Sequence, residues 1–450
     1  MRMLRNLLIV ISCVFGALLL FIALSVLPIN RYDYTQQKFY SAMTRQLDAL
    51  QPTSLPSAEG FSVGFAKVKL TPAQRTATAG YGNRKGKLYS SIHDSLYVRA
   101  MVVQHAAMRV AIVSADLLII PPTVTALLEK ELPAVGFSLD NTYLGATHTH
   151  NSIGNWGEGA TAFLYGAYND SIVHFIADQI KEAVRQASRN VLPAQIAVAQ
   201  IPMGKAVGNR LNKAGEVDSL MHIIEIKRSD STKLLLMNYA AHATCLYSRN
   251  LEISRDYPGA LVDALEKRGY HFAMFMAGAV GSHGCRPPAY GWSCLDWMTD
   301  QIVNRFEDRK NELTTLSGTA LTMYRVPLIL PEPQAKISED WKIRPWLFRK
   351  AFGEYPVFLT ALRMGDVVML GTPCDYSGEL TSSLYTKARE NQVRVMVTSF
   401  NGGYIGYITP DKYYDYDHYE TRLMNWYGPG SGSYMTAYLE KLLGTAVVSD

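Results

Sequence analysis

The sequence lacks the basic stretches that nucleic-acid-binding proteins carry. Its formal net charge is +5, but the lysines and arginines are scattered, and no run of them is interleaved with aromatic residues. Because such runs contact phosphate backbones, we expect no nucleic-acid partner. Charge is scarce as well: 18% of the 450 residues are charged and 48% are hydrophobic. This composition excludes a disordered or fibrous protein and is sufficient for a large core, in one big domain or two smaller ones.

A long apolar run opens the chain. Residues 7–27 carry no charge and follow a short segment that contains Arg2 and Arg5. Roughly 20 apolar residues span a bilayer, whereas the apolar part of a cleaved secretory signal is about 7–15 residues long, so we predict an uncleaved signal anchor that forms one transmembrane helix. Cleavage after Ala23-Leu24-Ser25 is the alternative. Because arginines favour the cytoplasmic side, the chain from Asn30 onward is predicted to be periplasmic or extracellular.

Cysteine is also scarce, with five in the chain. Cys13 lies in the apolar run, and Cys245, Cys285, Cys294 and Cys374 lie in the part predicted to reach an oxidising compartment. Cys285 and Cys294 are close in sequence and would close a small disulfide loop. Four cysteines allow three connectivities, so the sequence does not choose among them.

No internal repeat is visible, and strand-like and helix-like segments alternate through most of the chain. The main strand-like runs cover residues 61–71, 92–103, 110–115, 195–201, 221–226, 234–240, 271–276, 357–362, 367–370 and 393–399. Helical patterns cover residues 171–187 and 434–443 and begin near residues 121 and 258. This alternation predicts an α/β fold of layered mixed sheets with flanking helices, preceded by one transmembrane helix. We divide the chain into an anchor (1–29), a linker (30–60) and one domain (61–450).

One segment interrupts this pattern. Residues 331–355 are rich in proline, tryptophan and charge. Long loops in compact domains are usually functional, so we interpret this segment as a lid or a membrane-facing element. A simple surface insertion is the alternative.

Histidines and an aspartate follow three of the predicted strands. His148 and His150 are separated by one residue, so on an extended backbone they share a face and present two imidazoles to a metal ion. His242 and Asp375 each follow another strand, and ligands in open α/β sheets bind at the carboxyl ends of strands. Two imidazoles and a carboxylate with an open position form a catalytic zinc site. Taken singly, such residues are more often surface histidines, buried histidines or helix caps.

Several segments resemble, in family order, the catalytic domain of the neutral, non-lysosomal ceramidases. They are Ile92-His-Asp-Ser-Leu-Tyr-Val-Arg-Ala, Ala146-Thr-His-Thr-His, Asn209-Arg210, Asn238-Tyr-Ala-Ala-His242, Thr372-Pro-Cys-Asp375, Tyr404-Ile-Gly-Tyr407-Ile-Thr-Pro, His418-Tyr-Glu and Tyr427-Gly-Pro. The resemblance covers roughly residues 60–440. It implies hydrolysis of the amide of ceramide, to sphingosine and a fatty acid, at a zinc ion held by two histidines, a carboxylate and a tyrosine.

The resemblance also implies a metal-ligand set and two further active-site residues. The zinc ligands fall on His148, His242, Asp375 and Tyr407, and the family's Pro-Gly-Glu is here Pro-Cys-Asp. His150 and Arg210 match positions that hold the substrate or stabilise the developing oxyanion.

Two departures from the family pattern affect the expected chemistry. The family carries a nucleophilic serine after the apolar strand, and Gly281 occupies that position here. Ser282 or His283 would then stand in for the serine, or the loop is only a structural turn. The family's C-terminal immunoglobulin-like domain has no expected counterpart, since the chain ends soon after the helical pattern at 434–443.

The leading prediction is therefore a membrane-anchored, zinc-dependent hydrolase of ceramide or a related N-acyl lipid that works by metal-activated water. A second hypothesis is that the enzyme hydrolyses another N-acyl substrate, because a fold does not determine a substrate. An inactive homologue that binds a lipid or a protein partner is the third. Loss of the serine favours this third hypothesis, and retention of all four types of metal ligand opposes it. The oligomeric state is not predictable from the sequence.

Overall fold

A computed structural model describes residues 2–51 and 60–447 of the chain. The described helices are α1 (Arg2–Ser25), α2 (Lys38–Asp48), α3 (Pro122–Glu131), α4 (Ala162–Tyr165), α5 (Asp170–Ser188), α6 (Asp256–Lys267), α7 (Trp292–Arg309), α8 (Pro345–Phe352), α9 (Thr381–Glu390), α10 (Tyr419–Arg422) and α11 (Ser431–Val447). The described strands are β1 (Val26–Pro28), β2 (Phe61–Lys69), β3 (Thr78–Ala79), β4 (Tyr97–His105), β5 (Met108–Ala115), β6 (Thr142–Ala146), β7 (Ser152–Ile153), β8 (Leu192–Pro202), β9 (Val207–Asn209), β10 (Leu220–Arg228), β11 (Lys233–Tyr239), β12 (Phe272–Ala277), β13 (His283–Cys285), β14 (Thr314–Thr315), β15 (Leu321–Pro327), β16 (Trp341–Ile343), β17 (Phe358–Met364), β18 (Val367–Thr372), β19 (Asp375–Tyr376), β20 (Arg394–Ser399) and β21 (Tyr407–Ile408). The predicted α/β fold of mixed sheets with flanking helices is confirmed.

The larger sheet has nine strands, in the order β12-β11-β10-β8-β2-β4-β5-β6, with β14 added beside β8. Its central pairs are antiparallel, whereas the pairs at its two ends, β11 with β12 and β5 with β6, are parallel. Strand β12 is buried along its whole length, which explains its unbroken apolar sequence.

The smaller sheet packs face to face on the larger one. It has four strands, in the order β15-β17-β18-β20, and β18 and β20 are parallel. A buried apolar cluster joins the two sheets: Met101, Ile112 and Met274 of the larger sheet share it with Leu362 and Met369 of the smaller one. This sheet-on-sheet layer is the centre of the core.

Helices cover the two outer faces of this sandwich. On the larger sheet, α5 buries Ile172, Ile176 and Ile180 at the three-to-four-residue spacing of an amphipathic helix, and the side chain of Asn169 caps its first turn. Helices α6 and α7 cover the other half of that face. Helices α9 and α11 cover the smaller sheet. The layers are therefore helix, sheet, sheet, helix.

The N-terminal apolar run forms α1, a helix of 24 residues whose most apolar window has a mean hydropathy of 3.1 and is not buried against the rest of the chain. By length and composition it is a candidate membrane span or signal sequence. Strand β1 follows directly and pairs with β16, which belongs to the segment 331–355.

The predicted linker needs a correction in its first half. Helix α2 does not lie free, because its Met43 and Leu47 are buried in the same apolar cluster as Tyr438 and Leu442 of α11. The polar pattern of α2 concealed this one-sided apolar face. Residues 52–59, which contain the Pro/Ser-rich part of the predicted linker, lie outside the described residues.

A disulfide joins Cys245 to Cys294, so the pairing of Cys285 with Cys294 suggested by their proximity in sequence is wrong. Cys285 and Cys374 are buried as free thiols, and Cys13 is exposed on α1. Residue 294 is in α7, which packs against the helix α6 that follows Cys245 in the chain. The bridge therefore fastens the loop after His242 to this helix layer.

Candidate metal centre

Two of the predicted ligands are neighbours in a short parallel ladder. After β18, the chain enters β19, and after β20 it loops back into β21, so that Asp375 is in register with Tyr407. Both side chains are buried. The hydroxyl of Tyr404, in the intervening loop, donates to Oδ2 of Asp375 over 2.7 Å. This hydrogen bond fixes the orientation of the carboxylate through Oδ2 and leaves Oδ1 available for another partner.

His148 adopts an unusual backbone conformation. Strand β6 ends at Ala146, and His148 has a φ of 61°, in the left-handed region that non-glycine residues seldom occupy. The expectation of an extended His-Thr-His backbone is therefore wrong, because the strand stops before it. The imidazole stacks on the ring of Phe400 at 4.1 Å, and its Nδ1 lies 2.6 Å from the carbonyl oxygen of Leu118.

The Nε2 atoms of His148 and His242 face each other at 2.9 Å. The Nδ1 of His242 lies 3.0 Å from the carbonyl oxygen of Val280, just as the Nδ1 of His148 faces the carbonyl oxygen of Leu118 at 2.6 Å. A carbonyl can only accept, so Nδ1 carries the proton in both rings and both Nε2 atoms present lone pairs. Two facing lone pairs repel unless a cation lies between them. This donor arrangement fits a metal ion.

Asp375 completes the geometry. Its Oδ1 lies 3.4 Å from Nε2 of His148 and 3.5 Å from Nε2 of His242, and it has no hydrogen-bond partner although it is buried. The hydroxyl of Tyr407 lies 3.2 Å from Nε2 of His242. Ligands about 2.0–2.1 Å from a tetrahedral zinc ion are about 3.3 Å from one another. The three atoms of His148, His242 and Asp375 therefore lie close to the spacing of one coordination shell, with the hydroxyl of Tyr407 beside His242.

Burial sets the protonation of the cluster. It lowers the pKa of His148 to about 3 and that of His242 well below its usual value, so both rings are neutral at neutral pH. Burial also raises the pKa of Asp375 to about 7. A bound cation would oppose this rise and hold the carboxylate ionised.

His150 is brought into the same cluster, with its Nε2 3.2 Å from Nε2 of His148. Its Nδ1 has no hydrogen-bond partner, whereas the Nδ1 atoms of His148 and His242 are each fixed by a backbone carbonyl. Metal-ligating histidines usually have such a fixed second nitrogen. The three rings are close enough to share one ion, and His148 and His242 are the pair whose second nitrogen is fixed.

Arg210 reaches the cluster from the other side. Its Nη2 donates to the hydroxyl of Tyr407 over 3.1 Å, and its Nε donates to Oε1 of Glu420 over 2.7 Å. Glu420 is fully buried, and its second oxygen accepts a hydrogen bond of 2.8 Å from Ser282. A buried carboxylate held by two donors fixes the direction of the guanidinium.

Sequence reasoning missed Glu420 and Tyr404 as site residues. Both lie in segments that carry the family resemblance, which was the available signal, but nothing local indicates what they contact. The partner of Glu420 is 210 residues away in the sequence.

Ser282 and His283 do not line the cavity that contains the four predicted ligands. The hydroxyl of Ser282 is engaged by Glu420, and Nε2 of His283 accepts from the backbone N–H of Asp218. Gly281 packs so closely against the backbone of Asp375 that a Cβ added to it would lie 2.3 Å from the carbonyl oxygen. The loop therefore has no room for a side chain at the position of the family serine.

A cavity of about 680 Å³ opens from the cluster. Its buried end contains the polar groups described above, and the rest of its wall is mostly apolar and aromatic: Leu118, Ile119, Pro122, Trp156, Leu164, Tyr165, Phe352, Tyr355, Leu423, Met424 and Trp426. Leu423 is 65% exposed, which places the other end of the cavity at the surface. A few convergent polar groups in an apolar pocket are typical of a small-molecule site.

Comparison with known proteins gives one family match and similar solved structures. The family described as neutral/alkaline non-lysosomal ceramidase, N-terminal, matches residues 61–278. The structure of neutral ceramidase from Pseudomonas aeruginosa superposes with a TM-score of 0.73 at 17% identity, covering 87% of this chain and 75% of that one.

A second solved structure, titled "Ceramidase complexed with C2", gives a TM-score of 0.73 at 18% identity over 86% of this chain and 75% of that one. No curated protein sequence matches the chain. The family match over residues 61–278 and the shared fold support the placement of the chain in the neutral/alkaline non-lysosomal ceramidase family.

Proposed function

We propose that the protein is a zinc-dependent amidohydrolase that cleaves the amide bond of ceramide or a related N-acyl lipid, with water as the nucleophile. The observation that carries the proposal is the pair of Nε2 lone pairs, 2.9 Å apart, beside the unpartnered oxygen of Asp375 at the end of an apolar cavity. Such a donor set suits a cation, and the resemblance to the family supplies the substrate class.

His148, His242, Asp375 and Tyr407 would hold the ion. Two imidazoles and a carboxylate suit zinc, which would lower the pKa of a bound water to about 7 and polarise the substrate carbonyl. The protein's own contribution is orientation: the carbonyls of Leu118 and Val280 fix the two rings, and Tyr404 fixes the carboxylate.

Arg210 and His150 would act on the substrate. The guanidinium is always charged and lies against the hydroxyl of Tyr407, so it can donate to the oxygen on which negative charge develops as the amide is attacked. His150 has a free Nδ1 in the same cavity and can donate to the substrate or transfer a proton to the departing amine. Water adds to the carbonyl carbon, the C–N bond breaks, and a fatty acid and an amine leave.

Water is proposed as the nucleophile because no serine of the described residues lines the cavity. The variant Ser282→Ala lacks the hydroxyl of Ser282. If water is the nucleophile, no acyl-enzyme forms, so none should be detected in either the wild type or this variant. If wild-type protein accumulates a covalent acyl group that Ser282→Ala abolishes, a displaced serine is the nucleophile and the water mechanism is wrong.

The apolar wall of the cavity supports a lipid substrate. A volume of about 680 Å³ is within the range of roughly 300–1,000 Å³ found for small-molecule sites, and an acyl chain gains about 0.8 kcal/mol for each buried methylene. The deciding experiment is to measure zinc content and fatty-acid release on the purified protein, with ceramides and other N-acyl lipids as substrates. Release from ceramide supports the proposal, and release only from another N-acyl lipid changes the substrate.

A protein that binds zinc stoichiometrically but releases no fatty acid from any of these lipids would be the inactive, lipid-binding homologue. Gly281 at the position of the family serine is the observation that favours this second candidate.

We also propose that α1 spans the membrane and that the domain lies outside the cytoplasm. The helix is apolar and unburied, and the Cys245–Cys294 bridge suits an oxidising compartment. Protease added outside bacterial spheroplasts should digest the domain. Protection of the domain would reverse this topology, and a mature chain that starts near Val26 would show cleavage.

A further inference from the structure

The segment 331–355 connects the end of α1 to the wall of the cavity. At the α1 end, the backbone N–H of Arg344 donates to the carbonyl of Ser25 over 2.8 Å, and its Nη2 donates to that of Ala23 over 2.8 Å. The indole N–H of Trp346 donates to the carbonyl of Leu24 over 3.1 Å. These donors satisfy carbonyls that the last turn of a helix leaves without intrahelical partners. Strand β16 adds the pairing with β1.

The same segment then forms part of the cavity. Helix α8 begins at Pro345 and ends at Phe352, and eight helical residues span about 12 Å. Phe348 and Phe352 pack on Trp426, with ring centroids 5.5 and 5.3 Å apart, and Phe352 and Trp426 line the cavity. The end of the apolar helix and the cavity wall are thus about one short helix apart and joined by packed, hydrogen-bonded residues.

Two tryptophans mark the level at which α1 would leave a membrane. Trp341 is 50% exposed and Trp346 is 51% exposed, and both lie beside the last turn of α1 or the strand that follows it. Tryptophan is enriched at membrane–water interfaces, where its ring contacts lipid and its N–H finds a polar partner. Leu423, at the surface end of the cavity, is a further exposed apolar side chain.

We propose that residues 340–346 form a clamp that holds the cavity mouth against the bilayer in which α1 lies, so that the enzyme takes its N-acyl lipid directly from that same membrane. The inference rests on the proposed function for the identity of the lipid and on the unburied α1 for the identity of the membrane. Its physical basis is the short, rigid connection between α1 and the cavity. Such a connection keeps the cavity mouth at the membrane surface, whereas a flexible tether would let the domain move away from the membrane.

The first experiment does not depend on activity. The full-length protein is reconstituted in vesicles of phosphatidylcholine with brominated acyl chains, which quench nearby tryptophans. We expect quenching in the wild type and loss of most of it in the double variant Trp341→Phe, Trp346→Phe. Equal quenching in both proteins would place these residues away from the bilayer and overturn the proposal, whether or not the protein hydrolyses any lipid.

The second experiment measures hydrolysis in two arrangements. Fluorescent ceramide is placed either in the vesicles that carry the protein or in separate vesicles, and both are compared with detergent micelles. We expect hydrolysis at least about tenfold faster when enzyme and ceramide share a membrane, a gain of the size that effective concentration provides. Equal rates in the two arrangements would overturn the proposal, and inactivity even in micelles would overturn the proposed function instead.

The clamp itself is tested by the double variant Arg344→Ala, Trp346→Ala. It should keep the wild-type rate in micelles and lose most of the same-membrane advantage. Arg305→Ala is the matched control, since Arg305 also donates from an exposed guanidinium to a backbone carbonyl, that of Pro202, away from α1. A clamp variant that retains the full same-membrane advantage contradicts the proposal.

Discussion

Arg210 donates from Nε to Oε1 of the fully buried Glu420 over 2.7 Å, across 210 residues of sequence. This contact aims the other end of the guanidinium, Nη2, at the hydroxyl of Tyr407. An arginine that must stabilise a developing charge needs such a fixed direction, because its long side chain otherwise samples many rotamers.

Glu420→Gln should therefore reduce catalysis without removing the metal. The variant keeps the shape of the side chain but loses the charge that orients Arg210, and we expect kcat to fall roughly 10–100-fold with little change in KM, as is typical when a supporting partner is removed. Zinc content should stay at the wild-type level. Glu225→Gln is the matched control, because Glu225 also accepts from a side chain, Tyr270, outside the cavity. Loss of zinc from Glu420→Gln would mean that Glu420 supports the metal site rather than Arg210.

Removal of single histidines should separate metal ligands from substrate-contacting residues. We expect His148→Ala and His242→Ala to lose both bound zinc and activity, since each removes one of the two oriented Nε2 donors. His150→Ala should keep about one zinc per chain, because three protein ligands and Tyr407 remain, while its activity falls. Zinc is measured by elemental analysis of dialysed protein, with His222→Gln as the control for loss of a buried histidine outside the cluster. Zinc loss from His150→Ala would make His150 a ligand.

Gly281→Ala should destabilise the protein. The added Cβ would lie 2.3 Å from the carbonyl oxygen of Asp375, so the loop or strand β19 must shift, at a cost of about 1–3 kcal/mol in the free energy of unfolding. Gly284→Ala, in the adjoining strand β13, is the matched control, because the atom nearest to its added Cβ would lie at 3.8 Å. Urea unfolding of the two variants measures the difference. Equal stability would show that the loop yields at no cost, and that a serine at position 281 would be accommodated.

The buried His222 should make stability depend on pH. Burial lowers its pKa to about 4 in the folded protein, against about 6.5 in the unfolded chain. Between these two pH values, the imidazole is therefore protonated in the unfolded chain and neutral in the folded protein. Stability should therefore fall as the pH drops from about 6.5 to about 4, with roughly 2 kcal/mol lost between pH 7 and pH 5 from this group. Urea unfolding at the two pH values should show that His222→Gln loses less stability than the wild type. The same loss in both proteins would mean that His222 is protonated in the fold.

Strand positions were readable from the sequence where burial is continuous. The apolar run at 110–115 became Met108–Ala115, and the run at 357–362 became Phe358–Met364, because long apolar runs of β-branched and large residues have few other ways to be buried. Helix α7 was not predicted, although Leu295, Met298 and Ile302 have helical spacing and are all buried. Short strands such as β19 and β21 were out of reach, since they exist only as partners of each other.

The candidate site was predictable in its residue types and not in its supporting contacts. Family resemblance named His148, His242, Asp375 and Tyr407, and the fold brings these four together. Their role as ligands stays a prediction. No local pattern shows which distant carbonyl oxygen fixes each imidazole. Nor does a local pattern show that β6 ends before His148 and that His148 adopts a left-handed backbone conformation. Those features arise only when the sheets have packed.

The four side chains of the candidate metal centre are spread from residue 148 to residue 407: His148 and His242 lie in the loops after β6 and β11, and Asp375 and Tyr407 lie in the short strands β19 and β21. Successive ligands are far apart in the sequence, so an unfolded chain would have to close a long loop to bring any two of them to one ion. During biosynthesis, the centre can therefore form only after residue 407 has emerged and both sheets have assembled. If the domain is exported as we propose, the ion must be acquired from the destination compartment, and its availability there rather than in the cytoplasm governs how much of the protein matures.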